Sequence, residues 1–117
     1  LVQLGAKVSV LDNFSTGKLR NLSSVASYIS LLCSDIRSAY SCLKATVNKN
    51  IVFHLASFVS VPESINNPEL CYQINVQGTK NLLDGCHENN VPTFIFASSS
   101  AVYGNSTKLC KENDMPC

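Results

Sequence analysis

Apolar residues recur along the 117-residue chain in two rhythms. Four short runs are almost uniformly apolar, rich in β-branched and aromatic residues: Lys7–Leu11 (KVSVL), Tyr28–Leu32 (YISLL), Ile51–Leu55 (IVFHL) and Thr93–Ala97 (TFIFA). Strands covered on both faces read this way, so each run predicts a strand. The intervening segments change to helical spacing. Ser34 or Asp35 is placed to cap a helix from Ile36 to about Val47. A longer helix runs from Pro68 to about Glu88, with Leu70, Ile74, Val76, Thr79, Leu82, Leu83 and Cys86 at helical intervals. Leu1–Leu4 reads as a last helical turn closed by Gly5, and Asn13–Gly17 as a polar loop. Strands alternating with helices imply an α/β domain with a doubly wound parallel sheet. No repeat, low-complexity stretch or internal boundary divides residues 1–117, which are read as one domain.

Composition narrows the class of function. The chain is 45% hydrophobic and 15% charged with a net charge of +1, the balance of a globular core rather than of a disordered segment. Nothing in that charge points to nucleic acid. The uncharged run Asn21–Ser34 is Ser-rich and short of the roughly 20 apolar residues that cross a bilayer, so no membrane partner is expected. The cysteines lie at Cys33, Cys42, Cys71, Cys86, Cys110 and Cys117, with no C-x-x-C pair. A disulfide or metal framework is one reading. Small reduced hydrophobes is the favoured one, because zinc spacings are absent and Cys33 and Cys86 fall in apolar patterns. No metal is expected. The sequons at Asn13, Asn21 and Asn105 matter only in a secreted chain, and the expected compartment is the cytoplasm.

Candidate chemistry gathers where the apolar runs stop, as ligand sites do in open α/β sheets. Asp12 ends the first run; it is either a turn aspartate or a carboxylate that accepts from both hydroxyls of an adenosine ribose and repels a 2′-phosphate. Asp35 and Ile36 follow the second, as a helix cap and core residue or as ligand contacts. Ala56 and Ser57 follow the third, small enough either for tight packing or for a ligand to approach the backbone. His54, within that strand, reads as a packed core histidine before it reads as a catalyst. Gly78 inside the long helix costs roughly 1 kcal/mol against Ala, which predicts a neighbour at close range. The fourth run breaks into Ser98, Ser99 and Ser100, a Ser-rich turn or a hydroxyl-lined site.

Five strings resemble, in order and spacing, the extended short-chain dehydrogenase/reductase family, the nucleotide-sugar epimerases and dehydratases. These are VSVLDNFSTGKLRNL from Val8, Asp35-Ile36, HLASFVSVPESINNP from His54, NVQGT from Asn75 and SSSAVYG from Ser98. The first is similar to the corresponding segment of UDP-hexose and UDP-N-acetylhexosamine 4-epimerases. The resemblance implies a Rossmann-like fold and bound NAD, selected by Asp12, with Asn13, Phe14, Ser15 and Lys18 bordering the adenosine. It implies that Asp35 and the Ile36 amide hold adenine, and that Leu55, Ala56, Ser57 and Ser98 lie against the cofactor. Asn75 would order the site, and Ser60 and Val61 would lie near the sugar. In the pattern S-S/T-x-x-V-Y-G, Ser99 is the catalytic hydroxyl and also touches the sugar, with Ser100 the next candidate. Dehydratases carry Asp and Glu where this chain has Ser100 and Ala101, and neither of these is an effective acid. That favours an epimerase, acting by reversible hydride transfer at C4 of a UDP-sugar, as a homodimer. The alternatives are another nucleotide-sugar dehydratase or reductase of the family, or a non-catalytic NAD-binding relative.

Two family features are not in these residues: the Gly-rich phosphate loop with its preceding strand, and the Y-x-x-x-K pair. Tyr103 is not that Tyr, because Thr107 stands four residues on. The expectation is therefore an internal fragment, inactive alone. The first strand of the sheet would belong between Lys7–Leu11 and Ile51–Leu55.

Overall fold

A computed structural model describes residues 1–105 and 109–116. Ser106 and Thr107 of the third sequon, and Cys117, lie outside the described residues. Strands β1 (Val8–Asp12) and β2 (Ile29–Cys33) pair in parallel, with Val8 opposite Ile29 and Asp12 opposite Cys33. Strands β3 (Ile51–His54) and β4 (Thr93–Phe96) pair in parallel, with His54 opposite Phe96. Each strand lies within a residue of its predicted bounds. Among the described residues the pairs form two separate two-stranded sheets. The fold is a partial Rossmann-like domain.

Helix α1 (Ala39–Ala45) follows β2. It starts later than predicted. Ser38 is its cap, accepting from the Ser41 amide, while Asp35 accepts the Arg37 amide at 2.8 Å and forms a turn of its own. A short aspartate side chain competes for backbone donors in this way and delays the helix. Neither Ser34 nor Asp35 is the cap. Helix α2 (Val61–Asn66) was not predicted, although Ser60 and Glu63 stand at the spacing of a capping box and Ser60 Oγ accepts from the Glu63 amide. The predicted long helix is three consecutive segments: α3 (Pro68–Tyr72), a π-helical stretch Gln73–Gly78, and α4 (Thr79–Glu88). Short 3₁₀ helices cover Val2–Leu4, closed by Gly5 in the left-handed region at φ 78°, and also Leu19–Tyr28 and Ser100–Tyr103.

The core forms where α1 meets α4. Ile36, Cys42 and Leu82 are buried there, with Leu11, Ile74 and Phe94 packed on them. The close approach that Gly78 predicts is present: a Cβ there would stand 2.6 Å from Ile36 Cδ1. Cys33, Cys42, Cys71 and Cys86 are free thiols. Burial, with smaller contributions from Asp35 and Cys86, pushes the Cys42 thiol up to about 11, and burial also raises Cys86. Both behave as small hydrophobes, whereas Cys33 is exposed despite its apolar context.

Candidate functional site

Each candidate loop leaves the carboxyl end of a strand. After β1, Asp12 Oδ1 accepts from the Phe14 amide at 2.7 Å, and Asn13 Oδ1 accepts from the Ser15 amide at 2.9 Å. These successive turns carry Phe14 into the left-handed region at φ 54°, a conformation that costs a non-glycine residue on the order of 1 kcal/mol. Gly17 passes so close that a Cβ on it would lie 3.4 Å from Asp12 Oδ2. A larger residue would cover that oxygen. Lys18 follows, exposed, at the start of the Leu19–Tyr28 helix.

After β2, the Ser34 amide donates to the Asp12 carbonyl at 3.1 Å and keeps the first two loops side by side. Asn13 Nδ2 crosses between them to Asp35 Oδ2 at 2.8 Å. Asp35 is heavily engaged. Oδ1 accepts from the Arg37 amide at 2.8 Å and Arg37 Nε at 3.0 Å, and Oδ2 accepts from Arg37 Nη2 at 2.8 Å as well as from Asn13. A carboxylate has about four acceptor positions, and all are filled. The guanidinium hydrogen bond outweighs partial burial and holds the Asp35 carboxyl down at about 2. Ile36 puts its side chain into the core, while its carbonyl accepts from Asn81 Nδ2 at 2.9 Å; the same nitrogen donates to the Arg37 carbonyl at 3.0 Å.

After β3, Leu55, Ala56 and Ser57 are exposed, and Leu55 is 73% accessible. The turn they form is gripped at Phe58. Asn75 Oδ1 accepts from the Phe58 amide at 2.7 Å, and Asn75 Nδ2 donates to the Phe58 carbonyl at 3.1 Å. Asn75 lies in the π-helical stretch, where a widened turn re-aims side chains. Ser60 caps α2 and Val61 begins it, exposed. After β4, the Ala97 amide donates to the His54 carbonyl at 3.2 Å. Ser98, Ser99 and Ser100 follow, all exposed. Ser99 Oγ accepts from the Ala101 amide at 3.2 Å as cap of the Ser100–Tyr103 helix, which leaves its own O–H free to donate outward.

The structure thus joins the loops after β1 and β2 to one another, and ties the start of the loop after β4 to His54 at the end of β3. Asn75 and Asn81 tie both pairs to a single helical run. Sequence reasoning missed Arg37 and Asn81, and placed Thr79 only within the NVQGT string and the helical pattern. Asn81 carried no local signal: its neighbours at three and four residues are Gln77, Gly78, Asp84 and Gly85, not an apolar stripe. Two apolar grooves of about 340 and 310 Å³ flank the Leu19–Tyr28 helix and include no candidate residue, so they are separate from the strand ends. Among the described residues no group of three or more side chains could ligate a metal, and no helix is long and apolar enough to cross a membrane.

Residues 1–114 match the 3-beta hydroxysteroid dehydrogenase/isomerase family. The chain belongs to that family. Its resemblance to the extended short-chain dehydrogenase/reductases of the epimerase/dehydratase type stands with this match. A UDP-glucose 4-epimerase of Lactobacillus helveticus is 34% identical over 118 residues, covering 99% of this chain and 35% of that protein. Among solved structures, the Thermus thermophilus UDP-glucose 4-epimerase in complex with NAD superposes with a TM-score of 0.85 at 31% identity, over 100% of this chain and 38% of that one. The Methanobrevibacter ruminantium UDP-N-acetylglucosamine 4-epimerase, in complex with UDP-N-acetylmuramic acid, gives 0.80 at 35% identity over 95% and 36%. The family member described here therefore spans about a third of the length of these relatives.

Proposed function

We propose that the whole protein is an NAD-dependent UDP-sugar 4-epimerase, a cytoplasmic homodimer, to which these residues contribute the adenosine site and one catalytic hydroxyl. The observation that carries this reading is Asp12. Its carboxylate ends β1 beside Gly17, with Oδ1 used by the Phe14 amide and Oδ2 left uncovered by a residue without a side chain. An oxygen so placed accepts from a ribose hydroxyl and repels a 2′-phosphate. The residues fit the cofactor there. They fit less simply at Asp35, where an adenine amino group must displace an existing donor, with the Asn13 amide the exchangeable one. Bound NAD would supply reversible hydride acceptance at the sugar's C4. Leu55, Ala56, Ser57 and Ser98 would line its approach, Ser60 and Val61 would neighbour the sugar, and Asn75 would hold the turn between them. Ser99, whose Oγ is already an acceptor, would present its O–H to the reacting sugar oxygen. Ser100 and Ala101 would supply no proton for elimination, which favours epimerisation over dehydration.

Cofactor titration of the whole protein tests the reading. NAD is expected to bind more tightly than NADP, with Asp12→Asn narrowing the gap; tighter NADP binding would sink it. Ser99→Ala should lower kcat about 10²-fold, the scale of one positioned hydrogen-bonding group, while Ser98→Ala does much less. A larger loss with Ser100→Ala than with Ser99→Ala would move the catalytic hydroxyl by one residue.

A further inference from the structure

His54 is 3% exposed, at the carboxyl end of β3, with its ring set between Phe94 and Phe96 at centroid distances of 5.9 and 5.5 Å. Its Nε2 lies 2.8 Å from Thr79 Oγ1. The direction of that hydrogen bond follows from the next one. Thr79 Oγ1 is 2.7 Å from the Asn75 carbonyl, which can only accept, so the hydroxyl hydrogen is spent there. The Thr79 oxygen must therefore accept from His54, and Nε2 carries a hydrogen. Nδ1 is buried with no partner among the described residues, and a hydrogen on it would be stranded. The neutral ring with hydrogen on Nε2 satisfies that end and leaves at Nδ1 an unpaired acceptor in place of a stranded hydrogen, and burial lowers the His54 pKa in the same sense.

The Thr79 hydroxyl bonds back one turn, as threonines in helices do. In an α-helix the Thr79 amide would donate to the Asn75 carbonyl four residues back. Here that amide turns to Val76 at the end of the π-helical stretch, and the hydroxyl takes its place on Asn75. The widened turn leaves Asn75 aimed to grip both backbone groups of Phe58. A continuous path of hydrogen bonds thus runs from the strand histidine, through the helix, to the turn after that same strand.

We propose that His54 is a positioning residue: through Thr79 and Asn75 it fixes the Leu55–Phe58 turn, against which the cofactor is seated. The second clause rests on the NAD reading above; the first does not. Nitrogen-15 NMR of the whole protein tests the first directly, with hydrogen expected on Nε2 of His54 and none on Nδ1. Hydrogen on Nδ1 with Nε2 bare overturns the proposal. Amide exchange at Phe58 reads the far end of the path. Thr79→Val and His54→Leu should each speed it about tenfold, the effect of one lost hydrogen bond. Thr79→Ser and His54→Gln, which keep the hydroxyl and the donor nitrogen, should restore most of the protection. A histidine that merely fills space predicts no such rescue, and unchanged Phe58 exchange in Thr79→Val overturns the path. Should His54→Leu fail to fold, the tautomer and the Thr79 pair still decide. NAD affinity is measured on the same variants. If Phe58 responds and NAD affinity does not, the path stands and the seating of the cofactor against that turn falls.

Discussion

The two faces of the β3–β4 sheet are made of similar residues and meet different surroundings. On one face Val52, His54 and Phe94 turn toward the helical layer: His54 is buried and hydrogen bonded to Thr79, Phe94 packs on the core of Ile36, Cys42 and Leu82, and only Phe96 at the end of that face is exposed, at 59%. On the other, Ile51, Phe53 and Ile95 are 48%, 45% and 42% exposed. The covered face is where polar atoms do specific work, since the helix that buries Phe94 also carries Asn75 and Asn81. The open face shows only that apolar side chains alternate along a strand whether or not anything lies against them. Among the described residues nothing buries them.

The contrast can be broken most sharply by the 117-residue polypeptide on its own. With one sheet face open and β1 and β3 each paired on a single edge, it is expected to bind a hydrophobic dye, to aggregate or fold partly, and to bind no NAD. Each unpaired buried backbone group costs roughly 1–3 kcal/mol against a total stability of about 5–15 kcal/mol. A cooperative thermal transition with saturable NAD binding would refute this. Next in size is the covered face. Gly78→Ala in the whole protein brings a Cβ to 2.6 Å from Ile36 and should cost about 1–3 kcal/mol, read as a lower Tm; an unchanged Tm would mean that the Ile36 side chain gives way freely.

Acid titration should separate the two kinds of polar anchor. Asp35 is held at about 2, below the ordinary carboxylate value of 3.8, so its stabilising effect is full above that value and is lost as pH falls through about 2. Arg37→Ala should remove this dependence. His54 is shifted below its ordinary value near 6.5 by burial, so the fold is favoured above that value and weakens as pH falls below it; His54→Gln should flatten that part of the unfolding curve. The smallest effect belongs to the open face. Phe53→Ser in the 117-residue polypeptide should lower dye binding and leave the far-ultraviolet circular dichroism unchanged, since Phe53 is 45% exposed. Unchanged dye binding, or a loss of helix and strand signal, would show that something covers Phe53.

The strands were legible because uniformly apolar runs such as IVFHL leave few alternatives, and their ends marked the site because small polar residues follow at once. What sequence could not show were bonds between distant positions. Asn81 and Ile36 are 45 residues apart, and His54 and Thr79 are 25 apart. Local spacing carries no trace of either. The π-helical stretch was hidden for a related reason: Gln73–Gly78 reads as an ordinary, slightly weak helix, and the Thr79 hydroxyl at its end is bonded to a strand 25 residues away. The Leu19–Tyr28 helix was obscured by its serines and asparagine, poor helix formers around Leu22 and Val25. The start of α1 was misplaced because Asp35 spends its carboxylate on Arg37, two residues away, where helix-face reasoning does not look.

The saturated carboxylate of Asp35 has a thermodynamic consequence. A base arriving there meets no vacant acceptor, only an exchange in which the Asn13 amide leaves as an exocyclic amino group enters. Such a swap is close to isoenergetic. The nucleobase would then add little to the strength of binding and much to its selectivity, since a base with a carbonyl at that position would evict Asn13 and leave two acceptors face to face. On the NAD reading, grip would come from the phosphates and ribose, and the Asp35 contact would act as a checkpoint on the base.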